Sequence, residues 1–233
     1  MLVRLLAMAG ILSSGFGLAT CASQPGMEGL YPSATAALFY ANAGAPGISS
    51  FVCSGTIVGN AVITAAHCTD DDQPLEVAVG PVDLCTRTPI ETAGVALLRH
   101  PDRRIDVAVL VPEETLPPGE PPPVGRSGGW SATGWGSAPG SYRCGSRTVD
   151  LVSTDGCTGR STDDLCLTGL ADNTCIGDSG AGVIDPSGRL VAVTSHGSGC
   201  APGDPGVYAS LEPISAWLSD AMVAQPGTVA GTS

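Results

Sequence analysis

Cys175-Ile176-Gly177-Asp178-Ser179-Gly180 sets a serine between glycines and directly after an acid, and the rest of the chain is best read outward from it. Far upstream stands Thr64-Ala65-Ala66-His67-Cys68, and between the two stretches Asp106 opens the apolar run Val107-Ala108-Val109-Leu110. A histidine, an aspartate and a serine therefore occur in that order. A serine hydroxyl is a poor nucleophile until a neighbouring base takes its proton, and a carboxylate is needed to orient and charge-balance that base. These residue types point to a serine hydrolase. Taken singly, each has an ordinary explanation: Gly-Asp-Ser-Gly is common turn chemistry, His67 can be a hydrogen-bonded core histidine, and Asp106 can cap a strand. The order in which the three contexts appear carries the argument.

Those contexts resemble the trypsin/chymotrypsin family of serine endopeptidases, whose His-Asp-Ser order differs from that of subtilisins and of α/β-hydrolases. The resemblance extends from about Tyr31 to Leu218. Phe51-Val52-Cys53-Ser54-Gly55-Thr56-Ile57 is similar to the strand before the histidine loop, and Gly134-Trp135-Gly136 to the family's central Gly-Trp-Gly. Gly206-Val207-Tyr208 matches a strand lining the specificity pocket, and Ile214-Ser215-Ala216-Trp217-Leu218 the closing helix. The implied fold is all-β, two antiparallel six-stranded β-barrels with a C-terminal helix.

The resemblance also implies roles. Ser179 is the expected nucleophile, His67 the base, Asp106 its partner, and the backbone N–H groups of Gly177 and Ser179 the oxyanion hole. Asn173 falls at the floor of the substrate pocket, where a preference for Arg or Lys requires an acid. Gly197 and Gly206 leave its walls open, and the main chain of Ser195 and Gly197 is expected to pair with substrate. A large neutral side chain is therefore expected there, with Asp204 left open as a counter-charge for a basic one. The implied activity is endopeptidase action on protein or peptide substrates by a monomer, with no cofactor. A protease-fold peptide-binding protein without activity and an esterase on the same fold are the alternatives.

Three positions depart from the family's pattern: Ala181 follows Gly180 where Gly is usual, His196 stands in place of an aromatic platform, and no Ile-Val-Gly-Gly-like segment is visible. In the family, the amine freed at that segment pairs with the acid before the serine, here Asp178. Gln24-Pro25-Gly26-Met27-Glu28-Gly29-Leu30 is too short and unlike it, so Asp178 needs another partner or the enzyme is ordered by a different means.

Composition supports the fold class. The 233 residues include 32 Gly and 19 Pro, which punctuate short strands and penalise helix interiors. Apolar stretches at Ala61–Ala66, Leu75–Val79, Ala93–Leu98, Val107–Val111 and Leu190–Thr194 read as strands. A formal charge of −12 with only ten scattered cations argues against nucleic-acid binding. Pro117–Pro123 reads as extended and stiff, and the resemblance implies that it falls in the connection between barrels.

Met1–Thr20 carries Arg4, an apolar run over Leu5–Leu12 and then small residues, the pattern of a secretory signal peptide. Residues 1–22 are thus expected to be a leader, 23–224 the peptidase domain and 225–233 a disordered tail, the protein being secreted. Leu18-Ala19-Thr20-Cys21 also resembles a bacterial lipobox, leaving open a lipid anchor at Cys21 on the cell envelope. Nine cysteines are an odd number, and removing Cys21 leaves eight. The resemblance pairs Cys53 with Cys68, Cys175 with Cys200 and Cys157 with Cys166, with Cys85 and Cys144 remaining. No Cys-x₂-Cys pair exists and only three histidines are present, so no metal site is expected.

Overall fold

The computed structural model describes residues 30–41, 49–71, 73–79, 82–85, 95–126, 128–139, 141, 143–159 and 161–223. The expected leader, Cys21 and the tail from residue 225 lie outside the described residues. The first half of the chain forms β1 (Ala34–Tyr40), β2 (Phe51–Val58), β3 (Ala61–Thr64), β4 (Leu75–Val79), β5 (Val95–Arg99) and β6 (Ala108–Pro112). The second half forms β7 (Trp130–Gly134), β8 (Arg147–Ser153), β9 (Leu165–Gly169), β10 (Gly182–Ile184), β11 (Leu190–Gly197) and β12 (Gly206–Ser210).

Two six-stranded antiparallel units result. The second closes on itself in the order β10-β11-β12-β9-β8-β7. The first runs β4-β1-β2-β3-β6-β5 and is a half-barrel, since among the described residues no ladder joins β4 to β5. Pro117–Pro123 lies in the irregular connection between β6 and β7. Ser131 ties that connection down by donating to the Pro123 carbonyl at 2.7 Å. Proline, which has no N–H for a ladder, suits such a segment.

Strand faces explain the packing. Val62 and Leu110 join Leu38, Ile57 and Val77 inside the first unit, while Val149, Leu151, Leu167 and Tyr208 fill the second. Ile63, Val107 and Val109 point the other way. They meet Ile184, Val193 and Leu211 of the second unit in an apolar layer between the two. β6 is buried along its whole length because both of its faces are covered, which is why Val107–Val111 reads as an unbroken apolar run.

α1 (Ser215–Val223) follows a 3₁₀ turn at Glu212–Ile214. The regular helix starts one residue later than the Ile214–Leu218 motif, whose first residue closes the 3₁₀ turn, and runs further. It sends Leu218 and Ala221 into the layer between the barrels. A fully buried Leu such as Leu218 contributes about 1.5–3 kcal/mol. Among the described residues no helix is long and apolar enough to cross a membrane.

Candidate active site

Strand register brings the first two residues together. Thr64 of β3 is paired with Ala108 of β6, so the 3₁₀ turn Ala66–Thr69 and the two residues before β6 meet at the same end of the sheet. The Asp106 carboxylate accepts the backbone N–H of His67 on Oδ1 at 2.9 Å and lies 2.8 Å from Nδ1 through Oδ2. It is 2% exposed. Burial opposes its ionisation, but the hydrogen bonds and charge of His67 and the hydroxyl of Ser195 outweigh that and hold the carboxyl well below the usual range. An ionised Asp106 favours the His67 tautomer that carries its proton on Nδ1.

Ser179 sits in the turn before β10, and the first barrel holds that turn from behind. Ser54 of β2 donates its backbone N–H to the Ser179 carbonyl at 2.9 Å and its hydroxyl to the Gly177 carbonyl at 2.8 Å. Gly177 has φ of +97°, and a side chain there would also crowd the Phe51 ring. The backbone N–H groups of Cys175, Asp178, Gly180 and Ala181 all have acceptors within the chain. Among the described residues those of Gly177 and Ser179 have none. His67 and Ser179 line one cleft of about 430 Å³. Among the described residues the Ser179 hydroxyl makes no hydrogen bond, and such bonds in unliganded sites commonly tighten only on substrate binding.

Asn173, Ser195, Gly197 and Gly206 also line this cleft. The side chain of Asn173 is wholly engaged. Its Oδ1 accepts the N–H groups of Gly169 at 3.1 Å and Thr174 at 3.0 Å, and its Nδ2 donates to the carbonyls of Ala201 at 2.9 Å and Asp204 at 2.8 Å. These four bonds brace the loops around it. Asp204 is not among the lining residues; its carboxylate accepts the Ala201 N–H at 2.9 Å and abuts Gly199. Beyond the reach of β10, Ser195–Gly197 has, among the described residues, a strand partner on one edge only, β12.

His196 stacks no substrate platform of aromatic type, but its ring is bonded. Nδ1 lies 3.1 Å from the Ser195 hydroxyl and Nε2 lies 3.3 Å from the Thr158 carbonyl. Ala181 is fully buried and sits without difficulty beneath the turn.

Sequence reasoning left Asp178 without a partner, and the structure supplies Arg147. The carboxylate is 1% exposed and takes Arg147 Nη1 at 3.0 and 2.8 Å, the Gly136 N–H at 2.8 Å and the Cys175 N–H at 2.9 Å. Burial pushes this carboxyl up, against the charge and hydrogen bonds of Arg147 and the two backbone donors. A Cβ on Gly134 or Gly136 would overlap the carboxylate, so the Gly-Trp-Gly signature is the space into which Asp178 fits. No sequence spacing marks Arg147 as its partner, because the two lie 31 residues apart in different strands and loops.

The structure brings together all four cysteine pairs: Cys53–Cys68, Cys85–Cys144, Cys157–Cys166 and Cys175–Cys200. The last pins the loop before Ser179 to the segment after β11.

Two barrels meeting at a cleft of this composition define a serine hydrolase of the chymotrypsin architecture. Known structures agree in fold: mouse neuropsin aligns with a TM-score of 0.59 at 24% identity, covering 81% of this chain and 94% of that one. Human heparin binding protein aligns with a TM-score of 0.60 at 19% identity, covering 84% and 94%. The family model for trypsin matches residues 33–218. A trypsin of Saccharopolyspora erythraea is 32% identical over 186 residues, 68% of this chain and 82% of that protein. Trypsin-2 of Salmo salar is 27% identical over 196 residues, 73% and 84%. The chain belongs to the trypsin family of serine endopeptidases.

Proposed function

We propose that Ser179 attacks the scissile carbonyl and passes through an acyl-enzyme. The observation that carries this reading is the pair of unengaged N–H groups at Gly177 and Ser179, set beside a histidine whose Nδ1 is held by Asp106. As the Ser179 oxygen bonds to the carbonyl carbon, its proton passes to His67 Nε2, and the carbonyl oxygen becomes an oxyanion facing the two N–H donors. The carbon–nitrogen bond then breaks and His67 returns the proton to the leaving amine. Water repeats the sequence, giving its proton to His67, which returns it to the Ser179 oxygen as the carbon–oxygen bond breaks and the acid leaves. The open edge of Ser195–Gly197 offers main-chain groups on which an extended substrate adds as a strand.

The preferred residue before the cut is large and uncharged. The pocket floor carries no acid, and Asn173 has no donor or acceptor to spare, so a buried Lys or Arg would lose its hydration without a partner. Substrates are proteins or peptides outside the cell, since four disulfides suit an oxidising compartment.

Reaction with a fluorophosphonate probe tests the nucleophile. The wild type labels on Ser179, and Ser179→Ala neither labels nor hydrolyses peptides, its turnover falling by several orders of magnitude with the fold intact. Equal hydrolysis by the two proteins refutes the reading. Digestion of a peptide library tests the preference: cuts fall after Phe, Leu and similar residues at least about tenfold more often than after Arg or Lys. A digest dominated by Arg and Lys overturns the neutral pocket and points to Asp204.

A further inference from the structure

Arg147 is the first residue of β8, with 10% of its side chain exposed, and it reaches the loop bearing Gly177 and Ser179 from outside that loop. One guanidinium holds three points. Nη1 meets both oxygens of Asp178, Nη2 donates to the Asn173 carbonyl at 2.6 Å, and Nε donates to the Asp172 carboxylate at 2.8 Å. A planar fork of five donors can serve all three at once, whereas an ammonium acts as a point charge. Asp178 is in turn fully occupied: its two oxygens take Arg147 and the backbone N–H groups of Gly136 and Cys175, and the Gly134 and Gly136 backbones press against them. Among the described residues no second cation reaches this carboxylate.

We infer that Arg147 is the positioning residue that orders the oxyanion loop from within the chain, so that the site forms without insertion of a newly cut amino terminus. The same guanidinium couples the pocket floor at Asp172-Asn173 to the donors at Gly177 and Ser179. This rests on the proposed roles of those two residues.

The sequence offers a direct test. The ten Lys-plus-Arg positions of this sequence are all arginine, so the chain as given carries one primary amine, its α-amine. The purified full chain is acetylated with sulfosuccinimidyl acetate, cleared of ester adducts with hydroxylamine, and checked by mass for complete modification. Fluorophosphonate labelling and hydrolysis of an uncharged peptide anilide stay within about twofold of the untreated protein. Activity lost in proportion to acetylation overturns the inference.

A second arm removes the guanidinium. Arg147→Met lowers kcat by about 100-fold or more, the effect of misplacing an oxyanion donor, and slows labelling equally. Arg147→Lys restores part of kcat through Asp178 but leaves KM raised, since it cannot also brace Asp172 and Asn173. Near-ultraviolet circular dichroism verifies that each variant is folded. If Arg147→Met does not fold, Arg147→Lys and the acetylated wild type decide. A folded Arg147→Met that labels at the wild-type rate overturns the inference while leaving Ser179 as nucleophile. A wild type that never labels defeats the reading of Ser179 itself.

Discussion

The Ser195 hydroxyl donates to Asp106 Oδ2 at 2.5 Å, the oxygen that also holds His67 Nδ1 at 2.8 Å. Ser195 belongs to the second barrel and Asp106 to the first, so this bond helps fix the carboxylate of one half from the other. Ser195→Ala leaves a buried carboxylate with one donor fewer, and a hydrogen bond to a charged group contributes about 1.5–3 kcal/mol. The variant is expected to lose about tenfold or more in kcat with KM little changed, as steady-state kinetics on a peptide anilide will show.

The pH profile follows from the depressed carboxyl of Asp106. A carboxyl lowered in the folded state stabilises the fold above its unfolded value, about 3.9, and that contribution is lost as pH falls through the lower folded value. Across roughly pH 5 to 8 Asp106 is therefore expected to stay ionised and to add no limb of its own to the measured kcat/KM profile. Protonation of the Asp106 carboxylate within that range, followed by its infrared band, would overturn this.

Gly136→Ala places a methyl group inside the Asp178 carboxylate. Overpacking costs about 1–3 kcal/mol, and here it also displaces the donor at 2.8 Å and the Arg147 pair. A fall of about 3 kcal/mol in unfolding free energy, read from urea titration, should accompany slower fluorophosphonate labelling. A variant as stable as wild type would show that the Gly-Trp-Gly backbone can yield.

Asn173→Asp turns the donor that serves Ala201 and Asp204 into an acceptor facing two carbonyls. The acid should raise the kcat/KM ratio for Arg over Phe substrates, incompletely, because the carboxylate must first rearrange. Unfolding free energy should drop by about 1–3 kcal/mol for the bonds lost. An unchanged Arg-to-Phe ratio would remove this position from selectivity.

The fold was legible in the sequence because its signals are local and ordered: apolar runs of strand length, a Gly- and Pro-rich composition, and two motifs that fall at loop positions. Several strand bounds shifted by a few residues. Ala61–Ala66 ends as a strand at Thr64 because Ala66 begins the 3₁₀ turn that presents His67. The C-terminal helix begins after Pro213. What the sequence could not reveal were contacts between residues whose spacing carries no pattern. Arg147 looks like any strand-end cation, Ser54 like any polar residue of a strand, and Asn173 like a free pocket amide until its four partners are seen. Gly136 is informative in the sequence, but its reason, room for Asp178, is tertiary.

The layer of Ile63, Val107 and Val109 against Ile184, Val193 and Leu218 joins two halves that each hold only part of the chemistry. His67 and Asp106 come from the first, while Ser179 and its two N–H donors come from the second. The enzyme is in this sense a split device whose output reports the alignment of its halves. A slip along that seam, too small to melt either barrel, would part His67 from Ser179, the proposed base and nucleophile, and is expected to silence hydrolysis while every strand remained in place.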